Sequence, residues 1–229
     1  MNRITILLFL TAAFLLNVGT AHSQETDSTG LPGDHFSLQG ALEMFKKAGS
    51  PEEFEKLINT QSNNVNNLDL NADGEIDYVS VIDNSDKDAH AFVLQVAVSE
   101  TENQDIAVIV LEKDGDESAV LQIVGDEEIY GEPMIVDASD GTGEDDPSNN
   151  NSGGNGPSWN DNNSPNIIIN VWLWPSVRYV YRPAYVPWAS PWHWRSHPTW
   201  WHAWHPFSWR VFHPLAFRYH RFYRVVHTH

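Results

Sequence analysis

Five residues in one short run carry the clearest chemistry in this chain. Asp69, Asn71, Asp73 and Asp77 place oxygen-bearing side chains around Gly74, and Glu75 offers its backbone carbonyl between them. A hard cation such as calcium takes six to eight oxygens at about 2.3–2.6 Å. Alternate residues on a tight turn can point inward together, and Gly74 supplies the positive φ that folds the chain round an ion. The first expectation is therefore a calcium site made by Asp69, Asn71, Asp73, Glu75 and Asp77. The competing reading is an acidic turn whose Asp and Asn side chains bond their own backbone.

Histidines make a second set. Eight of the 11 lie beyond residue 165. His193 and His197 are four apart, and His202 and His205 are three apart, spacings that suit zinc or copper on a helical turn. Pro198 and Pro206 interrupt such turns, and no Cys or carboxylate cluster completes the set. Protonation of these imidazoles between pH 7 and 6 would strengthen anion binding. Catalytic signatures are absent: there is no nucleophile motif, phosphate-binding glycine loop or zincin helix. Pairs such as Glu100 and Glu102 fit a solvated acidic face, and His35 and His90 stand without a sequence partner. A non-enzymatic protein is expected. A His-rich transition-metal binder and a hydrolase with an unrecognised site are the alternatives.

The run Asp69–Asp77 resembles the first nine positions of calcium loops in EF-hands, dockerins and integrin-like repeats. It departs at the twelfth position, where an EF-hand has a bidentate Glu and this chain has Ser80. The residues that follow, Tyr78-Val79-Ser80-Val81-Ile82, are β-branched and alternating, so the loop feeds a strand. Without the bidentate Glu, affinity is expected near 10⁻⁴–10⁻³ M, as in extracellular modules.

Several elements must position that loop. Residues 37–59 read as two short helices. Leu38, Ala41, Leu42 and Phe45 share one face behind a Ser37 cap, and Phe54, Leu57 and Ile58 share another behind Ser50-Pro51-Glu52-Glu53. Strands are expected at roughly 78–83, 91–98, 105–112 and 119–124, joined by short polar turns, with 65–70 as a possible fifth. Connections this short favour an antiparallel meander. The fold class is α+β: two short helices packed on a four- to five-stranded antiparallel sheet. Leu68–Tyr78, Phe92–Val96 and Ala119–Asp126 together resemble a family of uncharacterised exported bacterial proteins. That resemblance covers 37–136 and implies export and this α+β arrangement, with no activity attached.

Residues 1–23 read as a signal peptide: Arg3, an apolar core from Ile4 to Leu16, and small residues Ala21 and Ser23 before the expected cleavage site. Export to the periplasm or cell surface follows, with no transmembrane span and, lacking Cys, no disulfide or lipid anchor. All but one of the 31 acidic residues lie at 25–157, and every Arg except Arg3 lies beyond. The acidic half, expected as a domain at 24–136, makes nucleic acid an unsuitable partner.

Residues 137–165, rich in Asp, Gly, Ser, Asn and Pro, read as a disordered linker spanning about 30 Å as a coil. The tail at 166–229 holds nine of the ten Trp, Trp159 being the tenth. A hairpin turning at Pro175-Ser176 is expected first. An eight-residue repeat then begins His-Pro at 197, 205 and 213, and its prolines forbid a long helix or central strand. Rings of this density need a surface. Trp and Arg together suit an anionic or glycan-bearing envelope surface or another envelope protein; the alternative is that the tail folds back on the acidic domain or is poorly ordered.

Overall fold

The computed structural model describes residues 28–138 and 169–226. The expected signal peptide and most of the expected linker lie outside them. The fold is α+β. Its centre is a six-stranded antiparallel sheet in sequence order: β1 Val79–Asp86, β2 Ala89–Ala97, β3 Asn103–Gly115, β4 Ser118–Gly125, β5 Met134–Ala138 and β6 Tyr223–Val226. The first four match the expected strands, each longer at one or both ends because paired backbone continues into the polar turns. Along β2 the burial alternates without a break, with His90, Phe92, Leu94 and Val96 inward, as a period of two requires.

Two helices cover the inner face. α1, Leu38–Lys47, is capped by the Ser37 side chain, which accepts the Gly40 N–H at 3.0 Å. α2, Pro51–Ile58, is capped by Ser50 accepting the Glu53 N–H. The Glu53 carboxylate returns to the Gly49 N–H at 2.8 Å, one residue earlier than a strict capping box. Leu38, Leu42 and Phe45 meet Phe54, Ile58 and Phe92 in one core. Truncating either fully buried Phe, Phe45 or Phe54, to Ala should cost about 3–5 kcal/mol.

Three expectations fail. Residues 65–70 form no strand; only Asn66 makes an isolated bridge, to Phe36. The side chains of Asn66 and Asn67 take the hydrogen bonds that a ladder would have used. The fifth strand is β5 instead. At Pro175 there is no hairpin: Pro175–Val180 is a helix, α4, with proline in its first turn, where its missing N–H costs nothing. Val177 and Val180 point from α4 into the core. And the sheet has six strands, because the tail supplies β6.

The tail closes both edges of the original sheet. β6 pairs β5 from Ile135↔Val226 to Ala138↔Tyr223. At the other edge Ala189 bridges Ile82, with the Asp83 N–H donating to the Trp188 carbonyl at 2.7 Å. Unpaired strand edges invite association with other chains; here the tail bonds to β1 at Val81–Asp83 and makes β6 the edge strand beyond β5. Two further helices, α3 Glu127–Tyr130 and α5 Trp209–Phe217, lie at the periphery; α5 holds Pro214 inside it.

Candidate calcium loop and the aromatic cleft beside it

The loop is fixed by its flanks before any ligand is considered. Asn59 straddles the start of β1, donating to the Val79 carbonyl at 2.6 Å and accepting the Val79 N–H at 2.9 Å. Asn66 donates to the Asp77 carbonyl, and the Asp77 N–H donates to the Leu68 carbonyl. Asn67 pairs both ways with the backbone of Phe207 at 2.8 Å. These three buried asparagines are invisible to a periodicity argument, because they sit where polar loop residues are ordinary.

Inside the loop three of the four acidic side chains accept the loop's own N–H groups, the pattern of the competing acidic-turn reading. Asp69 accepts the N–H groups of Asp73 and Gly74, Asp73 accepts that of Glu75, and Asp77 accepts that of Leu70. The Asn71 amide nitrogen sits between Asp73 and Asp77, at 3.1 and 3.0 Å. Its oxygen accepts the Asp73 N–H at 2.8 Å, so turning that oxygen toward a cation would give up this bond. Gly74 has φ +85°, and Ala72 is also left-handed at φ +58°. Among the described residues, no three His, Asp or Glu side chains stand close enough as they are to hold a metal ion. The loop's remaining ligands would be the Asn71 oxygen and the Glu75 carbonyl. Burial, together with the charges of Asp69 and Asp73, pushes the Asp77 carboxyl up to about 6.

The tail clamps this loop. The Ile76 N–H donates to the Trp204 carbonyl at 2.8 Å, and His205 Nδ1 lies 2.8 Å from the Gly74 carbonyl. Between loop and tail lies an open cleft of about 700 Å³. One wall is Asn71, Asp73, Glu75 and Asp77; the other carries Trp192, Trp194, Arg195 and Trp201. Tyr78 joins them, its ring 5.2 Å from that of Trp201. His193, His197 and His202 face the same space. Burial, helped by His193, holds His197 below the usual histidine range, so its protonation needs more acid than an exposed imidazole.

No protein-family model, curated protein or solved structure matches this sequence.

Two further carboxylates matter, and sequence reasoning missed both. Glu55 is 2 % exposed on α2. It accepts from Tyr78 Oη at 2.7 Å, the Val81 N–H at 2.9 Å, Ser190 Oγ at 3.0 Å and Trp188 Nε1 at 3.2 Å. Burial pushes its carboxyl up, and those donors pull part of the way back. Asp83 accepts from Tyr185 Oη at 2.6 Å and lies 2.9 Å from His90 Nδ1. His90 therefore has a partner after all. Asp83 was legible only as a polar residue at the inward phase of β1; Glu55 flanks the Phe54–Ile58 stripe and gave no signal. Both serve to hold the tail.

Proposed function

We propose that this chain is an exported, non-catalytic envelope protein. Its calcium-type loop stiffens one end of the α+β unit, and its tail offers an arginine–aromatic face to an anionic envelope surface. The observation that carries the reading is the outer arc of α5 and the turn after it. Val211 is 48 % and Phe217 53 % exposed, with Leu215 and Phe222 also outward. Arg210, Arg218 and Arg221 stand among them, and no acidic residue occurs anywhere beyond Asp161. Apolar side chains mixed with Arg on an exposed helix face suit the boundary of an anionic lipid layer. No helix among the described residues is long and apolar enough to cross a membrane, so the contact would be peripheral.

Sedimentation with vesicles tests this. The chain should bind phosphatidylglycerol vesicles and release them as salt rises, and should bind phosphatidylcholine weakly. Changing Arg210 and Arg221 to Glu should lower binding at least tenfold, since each basic residue near such a surface contributes about 1 kcal/mol. Equal binding to both lipids, or an unaffected double variant, defeats the proposal.

A further inference from the structure

We propose that His35 is an acid-released latch on the segment that leads into α5. His35 ends the short helical turn Pro32–His35, and its ring stacks on Phe212 of α5 with centres 6.3 Å apart. Asn67 joins the two. The backbone of Phe207 donates its N–H to Asn67 Oδ1 and accepts from Nδ2, both at 2.8 Å. A carbonyl only accepts and an N–H only donates, so this pairing leaves one assignment for the amide. The second hydrogen on Nδ2 is then left for His35 Nδ1, 2.8 Å away. That ring nitrogen must accept, which makes His35 neutral with its proton on Nε2.

Protonation removes the acceptor. An imidazolium would set N–H against N–H, and Asn67 cannot turn over without losing both bonds to Phe207. Phe212 does not compensate, since 6.3 Å is beyond the range at which a ring face holds a cation well. His205 shows the reverse arrangement on the same segment. Its Nδ1 meets the Gly74 carbonyl, to which a neutral or a charged ring can donate. Acid therefore spares that contact and breaks the one at His35.

The surroundings set the direction. Burial, the larger influence, holds His35 below the usual histidine range, and Asp34 beside it acts the other way. Asp34 is itself bonded by Ser28, Thr29 and the Gly30 N–H. The elements packed on this turn carry Glu127 and Glu128 on α3, and Arg210 and His213 on α5. His213 stacks instead on Trp209 and Phe217. A histidine whose folded pKa is lowered supports the closed form fully above the unfolded value of about 6.5, and that support is lost as pH falls toward the folded value. Asp77 and Glu55 shift oppositely, so acid favours the fold through them. Loosening at Phe207 would thus be local. It bears on how α5 is attached and does not rest on the surface-binding reading.

Amide exchange by NMR on the full chain in chelator, at about pH 7.5 and about pH 5, tests the latch. After correction for intrinsic rates, protection of the Phe207 amide relative to that of Phe92 in β2 should fall about threefold or more in acid. His35→Phe keeps a ring against Phe212 and cannot titrate, so the ratio should stay the same at both pH values. Ring-nitrogen NMR of the parent chain reads the tautomer without any variant, and should find the His35 proton on Nε2 at about pH 7.5. A proton on Nδ1, an unchanged Phe207 ratio in the parent, or an equal fall in His35→Phe each overturns the latch.

Discussion

Two parts of the tail share a composition and meet opposite fates. Residues 171–190 are rich in aromatics and Arg, and so are residues 209–222. The first part is tied into the domain. Val171, Val177 and Val180 are in the core, Trp188 and Ser190 donate to Glu55, and Tyr185 donates to Asp83. The second part buries Phe212, Ala216 and Tyr219 and leaves the rest of its rings outward. Its polar ties are to backbone: Arg218 and Tyr219 both reach the Asn63 carbonyl. Aromatic content does not decide which part is buried. What differs is that the acidic half sets two buried carboxylates, Glu55 and Asp83, opposite the first part's donors. Three of the five Lys do related work, lying over the rings of Trp172, Trp174 and Trp200 at 5.4, 5.8 and 5.5 Å.

The largest expected effect breaks the first contact set. Glu55→Ala removes one acceptor and strands four donors in the interior, which should cost about 3–5 kcal/mol. Chemical denaturation measures it. A loss below 1 kcal/mol would mean that the tail is held by apolar contact alone.

Calcium comes next. With a dissociation constant near 10⁻⁴ M, calcium at roughly a hundredfold excess should add about 2.7 kcal/mol. A melting curve in calcium and in chelator checks this, and Asp73→Ala should remove the increment. If the increment survives that change, the loop is not the site.

Acidification sharpens the comparison with a signed test on the calcium-free protein. The Asp77 carboxyl titrates near 6 in the fold, above its ordinary 3.8. Its protonated form is therefore the stabilising one. That contribution is fully present below about pH 4 and is lost as pH rises through about 6. Glu55, also raised, acts in the same direction. The unfolding free energy in chelator should fall between about pH 4 and 6 by an amount on the order of 2 kcal/mol, and Asp77→Asn should flatten part of that fall. An unchanged slope in the variant would show that Asp77 is not the group responsible.

The smallest effect is on the outward part. Leu215→Asp lies on the exposed arc of α5 and should change stability by less than about 0.5 kcal/mol. Vesicle sedimentation should nevertheless drop. A large destabilisation would mean that this face is not free.

Much of the architecture could be read without coordinates. The stripes of α1 and α2 follow from 3.6-residue periodicity, and β1–β4 from alternation, because each buries one face and keeps polar residues off it. The candidate loop was legible as well, since oxygen side chains at odd positions around Gly74 are a local pattern. The rest was not local. Glu55 looks like any helix-surface carboxylate until Tyr78, Val81, Trp188 and Ser190 converge on it from two other segments. Asn66 and Asn67 replaced a strand because their amides imitate backbone. Pro175 opened a helix where a turn was expected, since proline suits both.

By itself the sequence determined the α+β class, the charge division between the halves and the run of oxygen side chains around Gly74, all properties of neighbours along the chain. Only the tertiary structure decided that the tail pairs with β5 at one side of the sheet, bridges β1 at the other and faces the acidic loop across a cleft. Those pairings join residues more than eighty positions apart, and no spacing rule encodes which distant donor meets which buried carboxylate.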